Sequence, residues 1–231
     1  LPNAFFVELQ NDTVILDEYE TRHLRVTRVR SGNRLLGLDG QGNLVDFVLE
    51  EIGDTRSKGI VLSKRHVDRD EYHLTIWVGA TRWKRLRLIL EKSTELGVDK
   101  IVVFQADNSA VKKTENSLDK CMKVLRDAAK QSLNPYVPAL EWIFTFTRDL
   151  AADSLVLLLD IEGVSLKSIS DRVSRSSTIS IVVGPEGGFS QKEKRLLGAS
   201  AVPVSMGSRI LRVETAVISA LSLVNSYVKR F

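Results

Sequence analysis

The chain has 231 residues, 43% of them hydrophobic and 27% charged, with 33 Lys and Arg against 29 Asp and Glu for a net charge of +4. That length fits one large or two modest domains, and the composition excludes disordered and fibrous classes. No apolar run is long enough to span a membrane, the opening Leu1-Pro2-Asn3-Ala4-Phe5-Phe6 lacks signal-peptide character, and the single Cys121 excludes an intramolecular disulfide, so the expected location is cytoplasmic.

Residues 1–70 read as a small β-rich domain. Short β-prone runs cover 4–9, 13–16, 33–38, 43–52 and 59–63, with one short helix within 18–29 and a hairpin signal at Asp39-Gly40-Gln41-Gly42-Asn43. This part carries ten Lys and Arg against twelve Asp and Glu, yet Arg22, Arg25, Arg28, Arg30 and Arg34 fall in a stretch with no acid between Glu20 and Asp39. Clustered arginines on a β-domain are a footprint for phosphate, and a solvated basic face is the bland alternative. The charged run 64–71 reads as a connector. His66 and His73 stand there with no Cys or second ligand at metal spacing, so no metal site is expected.

From residue 71 onward strands and helices alternate, which argues an α/β domain with a mainly parallel sheet. The expected elements are a strand over 74–78, a helix over 82–96, a strand over 100–105, a helix over 117–133, an extended segment within 142–147, a strand over 155–160 and a helix over 164–173. Arg82, Lys84, Arg85 and Arg87 open the first of these helices, where the helix dipole favours acids, so a phosphate partner is a candidate explanation beside simple solvation. Trp83, Leu86, Ile89 and Leu90 follow helical spacing and read as core.

The stretch 177–225 holds two consecutive strand-loop-helix units. The first loop is Gly184-Pro185-Glu186-Gly187-Gly188-Phe189-Ser190; it has neither the Lys-Ser/Thr of a P-loop nor a G-x-G-x-x-G rhythm, which ranks nucleoside triphosphates and NAD low. Its glycines expose backbone groups that can read a flat heterocycle, and Ser190 with Glu193 forms a capping box. The second loop is Met206-Gly207-Ser208-Arg209-Ile210-Leu211-Arg212-Val213-Glu214-Thr215-Ala216, with two arginines just ahead of a helix start that disfavours cations. The last helix has a broad apolar face, suited to an internal core or a homodimer interface.

These two loops, together with Lys92-Ser93-Thr94-Glu95-Leu96-Gly97-Val98, resemble the SPOUT-class RNA methyltransferases, and within them the ribosomal small subunit methyltransferase E family, over nearly the whole chain. Lys130 stands where the family pattern has an acid, and Asn134 where it often has an arginine. The resemblance implies an α/β domain over 71–231 with a deep C-terminal trefoil knot, preceded over 1–70 by a PUA-like β-barrel that grips RNA. It implies S-adenosyl-L-methionine as cofactor, 16S rRNA of the small ribosomal subunit as substrate with a uridine N3 as acceptor, and a homodimer. Cofactor contacts fall to Gly184, Pro185, Glu186, Gly187, Gly188, Met206, Gly207, Ile210, Leu211 and Thr215. RNA contacts fall to Arg22, Arg25, Arg28, Arg30, Arg82, Arg85 and Arg209.

Methylation at uracil N3 requires removal of a proton and stabilisation of the resulting anion. Arg212 is the candidate for the anion. Glu214 is a candidate base, or equally a helix cap or ion-pair partner. Cys121, mid-helix between Lys120 and Met122, is a packing residue rather than the nucleophile that carbon methylation of uracil would need. Two other readings stay open: the same fold acting on tRNA or a ribose hydroxyl, and a non-enzymatic rRNA-binding assembly factor.

Overall fold

The computed structural model describes residues 4–109, 111, 117–144 and 154–228. The chain divides into two compact units, one of residues 1–69 with 126–137 and the other of 70–125 with 138–231.

The first unit is built on a six-stranded mixed sheet. Its strands are β1 (Ala4–Phe6), β2 (Glu8–Gln10), β3 (Thr13–Leu16), β4 (Arg34–Leu38), β5 (Asn43–Ile52) and β6 (Ser57–His66), in the order β1-β4-β5-β6-β3-β2. Two-residue alternation sets the inner face: Val45, Phe47 and Leu49 of β5 are fully buried, and Phe5, Val14, Leu16 and Leu24 pack with them. The expected single strand over 4–9 is interrupted at Val7, whose N–H is donated to Leu38 O at 3.0 Å. β6 absorbs the first three residues of the charged run, so the connector starts later than the sequence implied.

Helix α1 (Glu18–Val26) starts at Asp17, whose carboxylate accepts the Glu20 N–H at 2.9 Å. Its Glu20 is fully buried and meets residues of the 126–137 segment: Lys130 Nζ donates to it at 2.9 Å, while Arg126 pairs with Asp17 at 2.8 Å and the Tyr19 hydroxyl donates to Asp127 at 2.8 Å. Burial, reinforced by Asp127, pushes the Tyr19 phenol up to about 12.

The second unit carries β7 (His73–Gly79), β8 (Lys100–Phe104), β9 (Ala139–Ile143), β10 (Leu155–Ser165), β11 (Thr178–Val183) and β12 (Ala201–Ser205) in one sheet of order β12-β10-β11-β7-β8-β9. Every pairing in it is parallel. Continuous apolar runs such as Ile101–Phe104 and Ile181–Val183 are buried along their length, as strands covered on both faces must be. Around the sheet lie α2 (Trp83–Glu95), α3 (Ser117–Ser132, whose last turns belong to the first unit), α4 (Ser170–Ser174), α5 (Gln191–Leu197) and α6 (Val213–Tyr227). On α6, Val213, Val217, Ala220, Leu221 and Val224 are buried, and Asn225 Nδ2 donates to Leu96 O at 2.8 Å past the end of α2.

Two expectations need correction. The helix expected over 164–173 is instead the end of β10, a 3-10 turn at Leu166–Ile169 and the short α4. Pairing with β12 resumes at Val164 after a register break, and a side chain on Gly163 would lie 2.4 Å from the Pro203 carbonyl carbon, so close backbone approach extends the strand. Trp83 is only half buried, with Lys120 Nζ 4.0 Å from its ring centroid, whereas Leu86, Ile89 and Leu90 are core. Of the extended segment expected within 142–147, the part beyond residue 144 lies outside the described residues.

Candidate active site

The register break of β10 and the C-terminal ends of β11 and β12 open into one cavity of about 360 Å³. Its size falls within the range of small-molecule sites, and its position is where parallel sheets bind ligands. The wall comes from Leu159, Asp160 and Ile161 at the register break within β10, from Val183 at the end of β11 with Gly184, Pro185, Gly188 and Phe189 of the loop after it, and from Val204 to Gly207 with Arg209, Ile210, Leu211, Val213 and Ala216 around β12 and the start of α6. The two glycine loops therefore share a pocket. Gly188 and Gly207 have φ of 69° and 123°, conformations that a side chain resists, and both have open space at the Cβ position. The Phe189 ring stacks on Phe104 at 6.0 Å and lies 3.0 Å from where a Gly184 Cβ would sit.

Among the described residues, Asp160 brings the one carboxylate to this wall. The Glu162 backbone N–H donates to it at 3.0 Å and Lys194 pairs with it at 3.0 Å, and these hold its carboxyl below the ordinary range. Sequence reasoning missed Leu159, Asp160, Ile161, Phe189 and Lys194. The usable signal was the strand expected over 155–160, whose C-terminal end is a ligand position in this fold class.

Of the expected cofactor residues, Gly184, Pro185, Gly188, Met206, Gly207, Ile210 and Leu211 line the cavity. The other three are placed elsewhere. Glu186 turns away to accept the Thr81 hydroxyl at 2.6 Å and to pair with Arg85. Gly187 lies under Asn108, whose Nδ2 donates to the Gly187 and Gly188 carbonyls at 3.2 Å. Thr215 is exposed on the outer side of α6.

A second cavity, of about 550 Å³, is lined by Arg82, Trp83, Lys84, Arg85, Arg87, Leu88 and Glu91 of the α2 region and by Arg212 and Glu214. Residues 209–214 are thus a shared wall: Arg209, Ile210, Leu211 and Val213 face the first cavity, Arg212 and Glu214 the second. Arg209, expected on RNA, lines the first cavity. Arg85, also expected on RNA, is drawn in between Glu186 and Glu214, with its Nε 3.7 Å from Glu214 Oε2. That oxygen is buried and makes no hydrogen bond. Arg82 is exposed. On the first unit, Arg22 and Arg25 make exposed ion pairs with Glu18 and Asp54, Arg30 is exposed, and Arg28 is exposed with φ of 57°. Such surface pairs are weak and leave cations available to phosphate. Cys121 is fully buried, which pushes its thiol up to about 11 and keeps it protonated and unreactive.

The family model described as an RNA methyltransferase domain matches residues 68–225, from just ahead of β7 into the last turn of α6. The chain belongs to this family. Among its relatives, ribosomal RNA small subunit methyltransferase E of Mycobacterium tuberculosis is 28% identical over 243 residues, spanning 98% of this chain and 92% of the relative. The Bacillus subtilis protein of the same name is 27% identical, spanning 96% and 95%. The crystal structure of ribosomal RNA small subunit methyltransferase E from Neisseria gonorrhoeae, bound to S-adenosyl methionine, matches with a TM-score of 0.86 and 25% identity over 98% of this chain and 97% of that one. A predicted RNA methyltransferase from Thermotoga maritima matches with a TM-score of 0.83 and 30% identity over the whole of both chains.

Proposed function

We propose that the protein is an S-adenosyl-L-methionine-dependent methyltransferase acting on N3 of a uridine in 16S rRNA of the small ribosomal subunit. The observation that carries this reading is the pair of cavities divided by residues 209–214, one framed by glycine loops and the other by cations. The first suits the cofactor: backbone at Gly184, Gly188 and Gly207 can approach a flat ring, Leu159, Ile161 and Leu211 supply apolar contact, and Asp160 supplies an acceptor for hydroxyl or amine. When bound, the cofactor supplies an electrophilic methyl group.

The residues of the second cavity serve the acceptor. Loss of the N3 proton to Glu214 Oε2, an acceptor without a donor, leaves a nucleophilic nitrogen, and the Arg212 cation stabilises the negative charge that spreads over the uracil carbonyls. Arg82 and the exposed arginines of the first unit supply phosphate contacts, which fix register without reading bases. A PUA-like barrel over 1–70 is supported by the sheet order, since its edge strands β1 and β2 are joined by Val7 alone. A trefoil knot in the C-terminal segment, a homodimer formed through α6 and a cytoplasmic location complete the reading on the strength of the family resemblance.

The test supplies labelled cofactor to unmodified small subunits, naked 16S rRNA and tRNA, and identifies the modified nucleoside by mass. The expected product is 3-methyluridine in the small subunit; label in tRNA or on ribose would overturn the substrate assignment. Arg212→Ala is expected to lose about 100-fold or more in turnover while cofactor affinity changes less than about threefold. Retained turnover would remove Arg212 from its role.

A further inference from the structure

We propose that Arg85 is a positioning residue for methyl transfer, its guanidinium holding the Gly-Pro-Glu loop through Glu186 and the start of α6 through Glu214, so that one side chain sets both cavity walls. The inference rests on the functional reading above and differs from a role in binding RNA phosphate. Helix α2 has no acid in its first turn, while Arg82, Lys84, Arg85 and Arg87 crowd its positive end. The two carboxylates that relieve this come from the loop after β11 and from α6, and both converge on Arg85 alone. Arg82, Lys84 and Arg87 are exposed, whereas the Arg85 side chain is 30% exposed.

Both partners are themselves constrained. Glu186 also accepts the hydroxyl of Thr81, which is 1% exposed and fixed just past β7. Burial would raise the Glu186 carboxyl, but the Thr81 hydroxyl, a backbone N–H and the Arg85 charge outweigh it and leave it below the ordinary range. It is therefore a carboxylate at neutral pH and pairs with Arg85 as a full charge. Glu214 has a side chain only 12% exposed, and its Oε2 has the Arg85 charge nearby without a hydrogen bond. That leaves the oxygen charge-compensated and still able to accept a donor from a ligand. A planar guanidinium can serve two carboxylates on different edges; an ammonium on a flexible stem cannot hold both in one geometry.

The experiment measures cofactor affinity by calorimetry, together with kcat and the KM for small subunits, on the wild type, Arg85→Ala and Arg85→Lys. Positioning predicts that Arg85→Ala weakens cofactor binding about tenfold and lowers kcat at saturating substrates by about 100-fold, the scale of a misplacement near 1 Å, with KM for RNA changed less than about twofold. Added methylguanidinium should restore part of the Arg85→Ala rate, and Arg85→Lys should keep the fold and recover only part of kcat. A phosphate-contact role predicts the reverse: raised KM, a shallower salt dependence and unchanged kcat and cofactor affinity, and that result would overturn the proposal. If Arg85→Ala fails to fold, Arg85→Lys decides between the same two patterns. The cofactor titration needs no acceptor, so a wild type that binds cofactor and methylates no RNA would sink the substrate reading while the loop-holding role is still decided.

Discussion

A methyl group added to Gly79 would sit 2.5 Å from both the nitrogen and Cδ of Pro185. Backbone at the end of β7 therefore touches the first loop directly, and nothing flexible stands between them to give way. Gly79→Ala should push Pro185 into the cofactor cavity, cost about 1–3 kcal/mol of stability as an overpacking change, and weaken cofactor binding by tenfold or more in a calorimetric titration. Unchanged affinity would show that the loop can shift as a body. This dependence was invisible in the sequence because Gly79 and Pro185 are far apart along the chain. What the sequence did reveal at this scale was the two loops themselves, since seven of their ten nominated cofactor residues line the cavity. Motif membership could not say which way each side chain turns, and Glu186 and Thr215 turn away from it. The same carboxylates carry a pH dependence. Asp160 and Glu186 both sit below their ordinary values of 3.8 and 4.5, so each contributes stability that is complete above those values and is lost as pH falls through the lower folded ones. The thermal midpoint should fall on acidification below about pH 4.5, and Glu186→Gln should flatten that fall.

Among the elements, the helix ends and strand ends were the least legible. The capping box at Ser190 and Glu193 was readable because both halves are local, and the structure adds that Glu193 also accepts the Asp107 N–H at 3.0 Å, a contact no local pattern encodes. The length of β10 was misjudged for a similar reason: Ile161 and Val164 fit a helix or a strand equally, and pairing with β12 decided between them. Helix α1 shows the opposite case, an end that local preference would not choose. Its stop places Arg28 in the left-handed region, where glycine is the usual residue, and Val29 N–H returns to Leu24 O at 3.1 Å. An exposed arginine kept at a conformational cost fits a residue selected for phosphate. Arg28→Gly should leave stability unchanged or raise it by up to about 1 kcal/mol in urea, because relief of the backbone offsets the added chain entropy, while RNA affinity falls. A loss of stability with unchanged RNA binding would assign Arg28 a structural role instead.

At the scale of the whole molecule the chain divides into two compact units, the first of which is not continuous in sequence. Residues 126–137 cluster with 1–69, and they bring Lys130 to a fully buried Glu20. The structure gives Lys130 a partner: it neutralises an acid that has no exposure to water. Removing one member of a buried pair costs about 3–5 kcal/mol, because the other charge is left stranded. Arg126 and Asp127 add contacts to Asp17 and Tyr19. Since domains are stable by only about 5–15 kcal/mol, a fragment ending at residue 69 should not hold its fold. Circular dichroism of the isolated fragment 1–69 should show little fixed structure, and a fragment in which 126–137 is joined to it by a flexible linker should recover a cooperative thermal transition. Lys130→Ala in the full chain should lower stability by about 3–5 kcal/mol, and Glu20→Gln with Lys130→Met should return much of it by removing both charges together. A cooperative transition in 1–69 alone would mean that the N-terminal sheet needs nothing from the later sequence, and that the buried pair serves some purpose other than holding this unit together.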